Sequence, residues 1–362
     1  MVKAIQILAI GLGLGLLLGS SGCGPTIEPD GAPVFADRTP ATPGRTADSE
    51  QVARTRGYAI ELLMTMTNSP RAEVRANAIE ALETESTRLE PIVAIGLDDP
   101  NEGVRSVAAM VAGKASLESL LPTLRSMRKD PSPYVRASAI FALTKMGSSD
   151  DPSELSKILF GAKNSRVRAH AAFILGEIGD RSAVPMLKQA YVTPVPNATV
   201  VEHKFFRLQI AEALFKLGDN DSIDSIRAAL YPSRPEELEA TALAVQVIGQ
   251  IKDRGSIDQL IYLVNGDSDQ QMPAEVRLAI ATALASMGLT DGGYVADEYI
   301  SNRQPTIRAQ AASVYGHLRA MENLERLDAL MRDSSALVRV SAAGAVLDLA
   351  GGSTRRSSVN DR

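Results

Sequence analysis

The sequence predicts an all-α fold, a right-handed α-solenoid of about nine helix-turn-helix units, and three observations carry that expectation. An arginine recurs in register at Arg75, Arg105, Arg136, Arg168, Arg207, Arg277, Arg308 and Arg339. The first four are almost evenly spaced, as are the last three, while the step from Arg168 to Arg207 is longer and that from Arg207 to Arg277 is doubled. A period of roughly 30 residues marks stacked units that cannot bury an apolar face alone. Relative to each arginine, positions −1, +3, +4 and +7 are apolar or small, as at Val167, Ala171, Ala172 and Leu175. At about 100° per residue these share one helix face. Apolar residues make up 45% of the chain, enough for a core.

The chain opens with "MVKAIQILAIGLGLGLLLGSSGC", in which Lys3 precedes an apolar run from Ala4 to Leu18 and then small residues. This is the layout of a secretory signal, here residues 1–22. The run is about 15 residues where a bilayer span needs roughly 20, and Gly11, Gly13 and Gly15 weaken it as a helix. "GLGLG" is not a dinucleotide loop, since no strand precedes it and no amphipathic helix follows. Ser20, Ser21, Gly22 and Cys23 resemble the lipobox of bacterial lipoproteins, although Ser20 stands where that family most often has Leu. The resemblance implies that Cys23 becomes the first mature residue and carries acyl chains. The protein would then be exported and lipid-anchored on the extracytoplasmic (periplasmic) side of a bacterial membrane. Because of Ser20, soluble secretion stays open as an alternative, as does a retained N-terminal anchor. Cys23 is the chain's one cysteine, and a cysteine-free body suits an oxidising compartment. Residues 23–50, "CGPTIEPDGAPVFADRTPATPGRTADSE", hold little to bury and are expected to form a disordered tether of about 30 Å reach.

The repeat array is expected over 51–351, with a flexible tail at 352–362. Its arginine segments include "AEVRANAIEAL", "PYVRASAIFAL", "SRVRAHAAFIL" and "PTIRAQAASVY", and the doubled step contains "LEATALAVQVIG", a ninth unit with Thr241 at the arginine position. A second amphipathic segment lies upstream of each, as in "SLESLLPTLRSMRKD". Ser116, Ser182, Ser222 and Ser256 occupy expected N-caps, Ser256 with Gln259 at capping-box spacing. Gly147, Gly179, Gly218 and Gly288, each eleven residues past its arginine, are expected left-handed stops. This pattern resembles the HEAT-like repeat family in its short, phycobilisome-lyase-type form. At helix spacings of 8 to 10 Å, nine units are expected to form an arc of roughly 80 Å.

A formal charge of −5 and the absence of Trp disfavour nucleic-acid binding. The arginines are expected instead as a structural ladder. Asp99, Asp130 and Asp333 lie six residues before an arginine, with Asn302 matching, which suits forks onto helix ends and neighbouring acids. His170, His203 and His317 are scattered and form no His-Glu pair, unlike the iron hydroxylases built on HEAT-like repeats. Bilin-lyase chemistry lacks a motif to exclude it, but an exported lipoprotein is the wrong setting. Asp267 and Asp269 in "NGDSDQQ" lack the turn glycine and closing glutamate of a calcium loop. No catalytic set, metal, cofactor or small-molecule substrate is expected, and the chain is read as a non-enzyme.

By resemblance to HEAT-like arrays, positions +2, +5 and +9 line the concave wall. Most are polar, as at Ser138, Gln209, Lys114 and Glu177, but Met110, Phe141 and Phe173 place an apolar stripe at +5. That stripe is a candidate peptide or protein docking site. The connection 191–206, with Tyr191, His203 and Phe205, reads either as a partner contact or as a neutral insertion. Residues 231–240 are expected to bend the array or divide it into two arms. The chain is thus expected to be a membrane-tethered interaction scaffold, with a passive or self-associating envelope protein as the alternative.

Overall fold

A computed structural model describes residues 49–85, 88–148, 151–266 and 271–357. Among them are eighteen α-helices and no strand, an all-α solenoid of nine hairpins. The first five hairpins are α1 (Ser49–Met66) with α2 (Ala72–Ala81), α3 (Leu89–Leu97) with α4 (Glu102–Lys114), α5 (Leu121–Met127) with α6 (Pro133–Lys145), α7 (Ser153–Gly161) with α8 (Ser165–Ile178), and α9 (Val184–Val192) with α10 (Val200–Lys216). The remaining four are α11 (Ile223–Ala228) with α12 (Leu238–Ile251), α13 (Ile257–Asn265) with α14 (Ala274–Ser286), α15 (Gly293–Tyr299) with α16 (Pro305–Leu318), and α17 (Leu324–Leu330) with α18 (Ala336–Ser357). The export signal, Cys23, residues 24–48 and the Asp267–Asp269 pair lie outside the described residues.

The register residue is the fourth of each even-numbered helix except α10, where it is the eighth. Several of these helices start at side-chain caps or prolines. Asn101 accepts from Gly103 and Val104 N–H, Asn164 from Arg166 N–H, and Pro133 and Pro305 take first positions. Seven of the even-numbered helices stop eleven residues past the register residue. Gly147, Gly179, Gly218 and Gly288 have φ of 72°, 84°, 90° and 86°, as their spacing predicts. Ser116, Lys252 and Arg319 stand at the same register with φ of 53°, 54° and 52°.

That placement corrects one of the expected caps. Ser116 is a left-handed stop rather than the start of a helix. Ser222 and Ser256 do stand at the N-caps of α11 and α13, as expected, but neither side chain bonds the helix backbone, and an aspartate directly follows the stop before each. Asp180 accepts from Ser182 N–H, while Ser222 and Ser256 hydroxyls donate to Asp219 and Asp253 at 2.6 Å. Gln259 donates to the Tyr231 hydroxyl instead of closing a capping box.

Each even-numbered helix packs on the next, whereas most odd-numbered helices after α1 chiefly touch their own partner. The even helices therefore form the inner layer. Their closest approaches alternate along the chain. Gly113 of α4 faces Ala142 of α6, Gly176 of α8 faces Ala213 of α10, Gly249 of α12 faces Ala283 of α14, and Gly316 of α16 faces Ala345 of α18. A Cβ on these glycines would meet the facing alanine Cα at 2.6, 2.8, 2.9 and 2.8 Å. Only hydrogen fits there.

The expected open arc is corrected to a ring. The last helix, α18, packs against both α1 and α2, and Gly344 of α18 sits over Ala81 of α2. Beside this seam the Arg332 guanidinium lies 5.8 Å over the Tyr58 ring. Alanine and glycine contacts draw the inner layer together while leucine- and tyrosine-bearing helices fill the outer one. Every unit therefore curves the same way, and the ninth meets the first. Residues 231–240 do not divide the array, for α12 packs on α10 and Lys204 pairs with Glu237 at 2.7 Å across that joint.

Candidate partner-binding site

All nine register residues donate to a carbonyl near the end of the preceding odd helix. Arg75 reaches Ser69 O, Arg105 Asp99 O, Arg136 Asp130 O, Arg168 Ala162 O, Arg308 Asn302 O and Arg339 Asp333 O, each six residues upstream at 2.6 to 2.8 Å. Arg207 reaches Tyr191 O, Arg277 reaches Val264 O, and the Thr241 hydroxyl reaches Ala229 O at 2.9 Å. Carbonyls left unpaired at helix ends thus gain partners, and the guanidinium charge faces the negative end of the helix.

Three arginines also fork onto the next unit's acid. Arg75 grips Asp99, Arg105 grips Asp130 and Arg308 grips Asp333 through paired bonds of 2.7 to 3.0 Å. Each aspartate serves two arginines, one through its carboxylate and one through its carbonyl. Arg277 uses Glu298 and the Tyr299 hydroxyl, and Arg136 lies 3.4 Å from Glu154. The Arg308 fork holds the Asp333 carboxyl below its usual range. For Arg168, burial pushes the guanidinium's affinity for its proton down.

The inner wall corrects the expected apolar docking stripe. Met110, Phe141 and Phe173 are 0%, 1% and 6% exposed. A ring carbon of Phe141 fills the space beside Gly113, where a Cβ would be 3.0 Å away. Lys145 lies over the Phe141 ring at 5.7 Å, and Lys216 over Phe173 at 5.3 Å. The inward face is closed because glycine and alanine bring the even helices together and cations fold over the rings.

A polar chain continues along the same wall. Ser106 and Ser138 hydroxyls are 2.7 Å apart, and Ser138 is 3.3 Å from His170 Nε2. Gln209 donates to Glu212, and Lys216 bridges Glu212 and Glu177. The His170 ring packs between Tyr134 and Phe173, at centroid distances of 5.3 and 6.1 Å. Burial pushes its pKa down to about 4 and that of Tyr134 up to about 12. Arg166 covers Phe205 at 4.6 Å and pairs with Glu239 two units away at 2.6 Å.

The 191–206 connection also shrinks. Thr199 and Glu202 form a full capping box that starts α10, so only seven residues separate the helices. Tyr191 is half-buried, gives its carbonyl to Arg207 and lies under that guanidinium at 5.6 Å. Phe205 is buried and His203 half-buried in the first turns of α10. The structure therefore does not bring Tyr191, His203 and Phe205 together as an exposed patch. The sequence signal was "TVVE", a threonine three residues ahead of a glutamate.

An exposed aromatic cluster lies instead on the outer layer. Tyr231, Tyr262 and Tyr294 are 51%, 66% and 43% exposed. Gln259, in the first turn of α13, donates to the Tyr231 hydroxyl, and the Tyr294 hydroxyl donates to Asn265 at the helix's far end. Tyr262 stands midway between those anchors. Tyr262 is thus on α13 itself, while Tyr231 and Tyr294 of the two neighbouring units are fixed to the ends of that helix by their hydroxyls. Their spacing along the chain repeats the period of the arginine ladder. A separate hollow of about 490 Å³ lies at the seam, lined by charged and polar groups including Arg54, Glu325 and Asp328. Among the described residues no cluster of three His, Cys, Asp or Glu could hold a metal, and no helix is long and apolar enough to cross a membrane.

A family model agrees with this architecture. The model for HEAT repeats matches residues 89–159 and 152–243, in the first two thirds of the array. No curated protein matches the sequence. Among solved structures, the CpcE and CpcF complex of phycocyanin lyase from Nostoc sp. PCC7120 is 18% identical, over 79% of this chain and 99% of that one, with a TM-score of 0.39. Human deoxyhypusine hydroxylase is 17% identical, over 83% and 98%, with a TM-score of 0.33. Kap121p bound to RanGTP is 12% identical, over 84% of this chain and 37% of that one, with a TM-score of 0.31.

Proposed function

We propose that this protein is a membrane-tethered interaction scaffold whose HEAT-like ring takes a peptide or protein on its outer tyrosines. HEAT repeats make a protein-interaction solenoid, and here the inner wall is filled. The observation that carries the proposal is the tyrosine cluster, rigidly anchored yet exposed on a closed frame. Anchored aromatic rings give contact area at low entropic cost. The signal layout and Cys23 support attachment by acyl chains at the extracytoplasmic face of a bacterial membrane. Several chains would make that anchorage effectively permanent.

In-cell crosslinking tests the reading. The wild-type chain captures a partner that Tyr231→Ser/Tyr262→Ser/Tyr294→Ser does not, and labelled fatty acid enters the wild type but not Cys23→Ala. Capture of copies of the chain alone would instead support a self-associating envelope protein.

A further inference from the structure

We infer that the tyrosine cluster takes an arginine-bearing segment of a partner protein, with one guanidinium laid over the Tyr262 ring against the Asp258 carboxylate. This deepens the reading of the tyrosines as a peptide seat and does not depend on acylation of Cys23.

Three arginines of the chain itself are held in that way. Arg326 lies 5.5 Å over the Tyr315 ring, with Asp297 at 3.2 Å. Arg332 lies over Tyr58 and bonds Asp328. Arg277 lies 5.9 Å from the Tyr294 ring and 5.7 Å from that of Tyr299, and pairs with Glu298 at 2.7 Å. Each site joins a tyrosine face, which attracts a cation, to a carboxylate that accepts guanidinium N–H bonds.

On α13 a ring and a carboxylate stand together in the same manner. Asp258 and Tyr262 are four residues apart, neighbours on one helix face, and both are exposed. Among the described residues no cation lies over Tyr262 and none pairs with Asp258. Gln259, next to Asp258 in the chain, holds the Tyr231 hydroxyl, so a second ring is anchored at the same end of the helix.

Helix chemistry alone does not call for that carboxylate. An acid in the first turn suits the helix dipole, yet the position six residues past each left-handed stop is Pro122, Ser153 and Pro185 in units three to five. It becomes Asp224, Asp258, Tyr294 and Glu325 in units six to nine. Exposed Asp291 stands three residues before Tyr294. Acids and the exposed rings of Tyr231, Tyr262 and Tyr294 thus gather on one arc of the outer layer. A basic partner finds there both contacts that the chain uses for its own arginines.

The test uses the full chain in solution with Cys23→Ala, so failure of the membrane anchor leaves it unaffected. Fluorescence anisotropy reads the binding of a labelled peptide of alternating arginine and glycine, against the same peptide with neutral citrulline at every arginine. The arginine peptide binds about tenfold more tightly. Asp258→Asn or Tyr262→Leu removes most of that preference, Tyr262→Phe keeps it because the ring remains, and Glu118→Gln on another part of the ring leaves it unchanged. A preference that survives Asp258→Asn or Tyr262→Leu, or that Glu118→Gln lowers equally, would overturn the proposal and leave only general attraction to an acidic protein. Equal binding of the two peptides, or none of either, would overturn it as well. In that case in-cell capture that depends on the three tyrosines would still uphold the seat, and only its preference for a basic partner would fall.

Discussion

At the level of single residues, the same eleven-residue offset places seven left-handed stops, and only four are glycine. Side chains at the other three carry a steric cost that glycine avoids. Lys252→Gly and Arg319→Gly are each expected to stabilise the fold by up to about 1 kcal/mol, after glycine's own entropic cost is subtracted. Urea denaturation measures that gain. The control Gly179→Ala moves the midpoint the other way.

His170 offers a pH test at the same scale. With a folded pKa of about 4 against an ordinary value near 6.5, the unfolded chain takes up its proton first as pH falls. Stability is therefore lost progressively between about pH 6.5 and 4, by about 3 kcal/mol from this group. His170→Phe flattens the dependence of the urea midpoint on pH across that window. An unchanged slope would show that other groups govern it. The arginine positions were legible in the sequence, since a cation six residues past a helix end is a local relation. Ser116 was misread because serine suits a cap by its hydroxyl and a left-handed turn by its size, and the neighbouring fold decides which.

Among helices, packing alternates between close glycine-alanine joints and looser ones, so the ring is assembled from doublets. This pattern too was open to sequence reading, since glycine stands eight residues past the register residue only in the second, fourth, sixth and eighth units. Gly113→Ala must push the helices apart and is expected to cost about 1 to 3 kcal/mol. Gly57→Ala, in α1 where a Cβ would meet nothing within 4 Å, is expected to gain about 0.5 to 1 kcal/mol. Thermal melts of the two variants should shift in opposite directions. The inward direction of Met110, Phe141 and Phe173 was likewise readable from helical phase. Their burial was not, because it depends on the distance between helices that stand a full repeat apart in the chain.

The whole molecule adds the feature least legible in sequence, since closure is the sum of nine small rotations. It depends on the seam where Gly344 meets Ala81. Gly344→Phe is expected to wedge α18 from α2 and open the ring, raising the radius of gyration in small-angle scattering and lowering the melting temperature by several degrees. A variant that remains as compact as the wild type would show that α1 and α18 suffice to hold the seam.

Closure also changes what duplication of a repeat does to such a protein. An open array can gain or lose a hairpin and merely lengthen or shorten, provided its end units stay capped. In a nine-membered ring each unit turns the chain by about 40°. A tenth would over-rotate and an eighth would leave a gap, so the copy number is fixed by angle. Single-repeat insertions and deletions are then penalised by geometry alone, while point changes on the outer helices leave the angle untouched. The outer face is accordingly the part of this ring most open to new sequence.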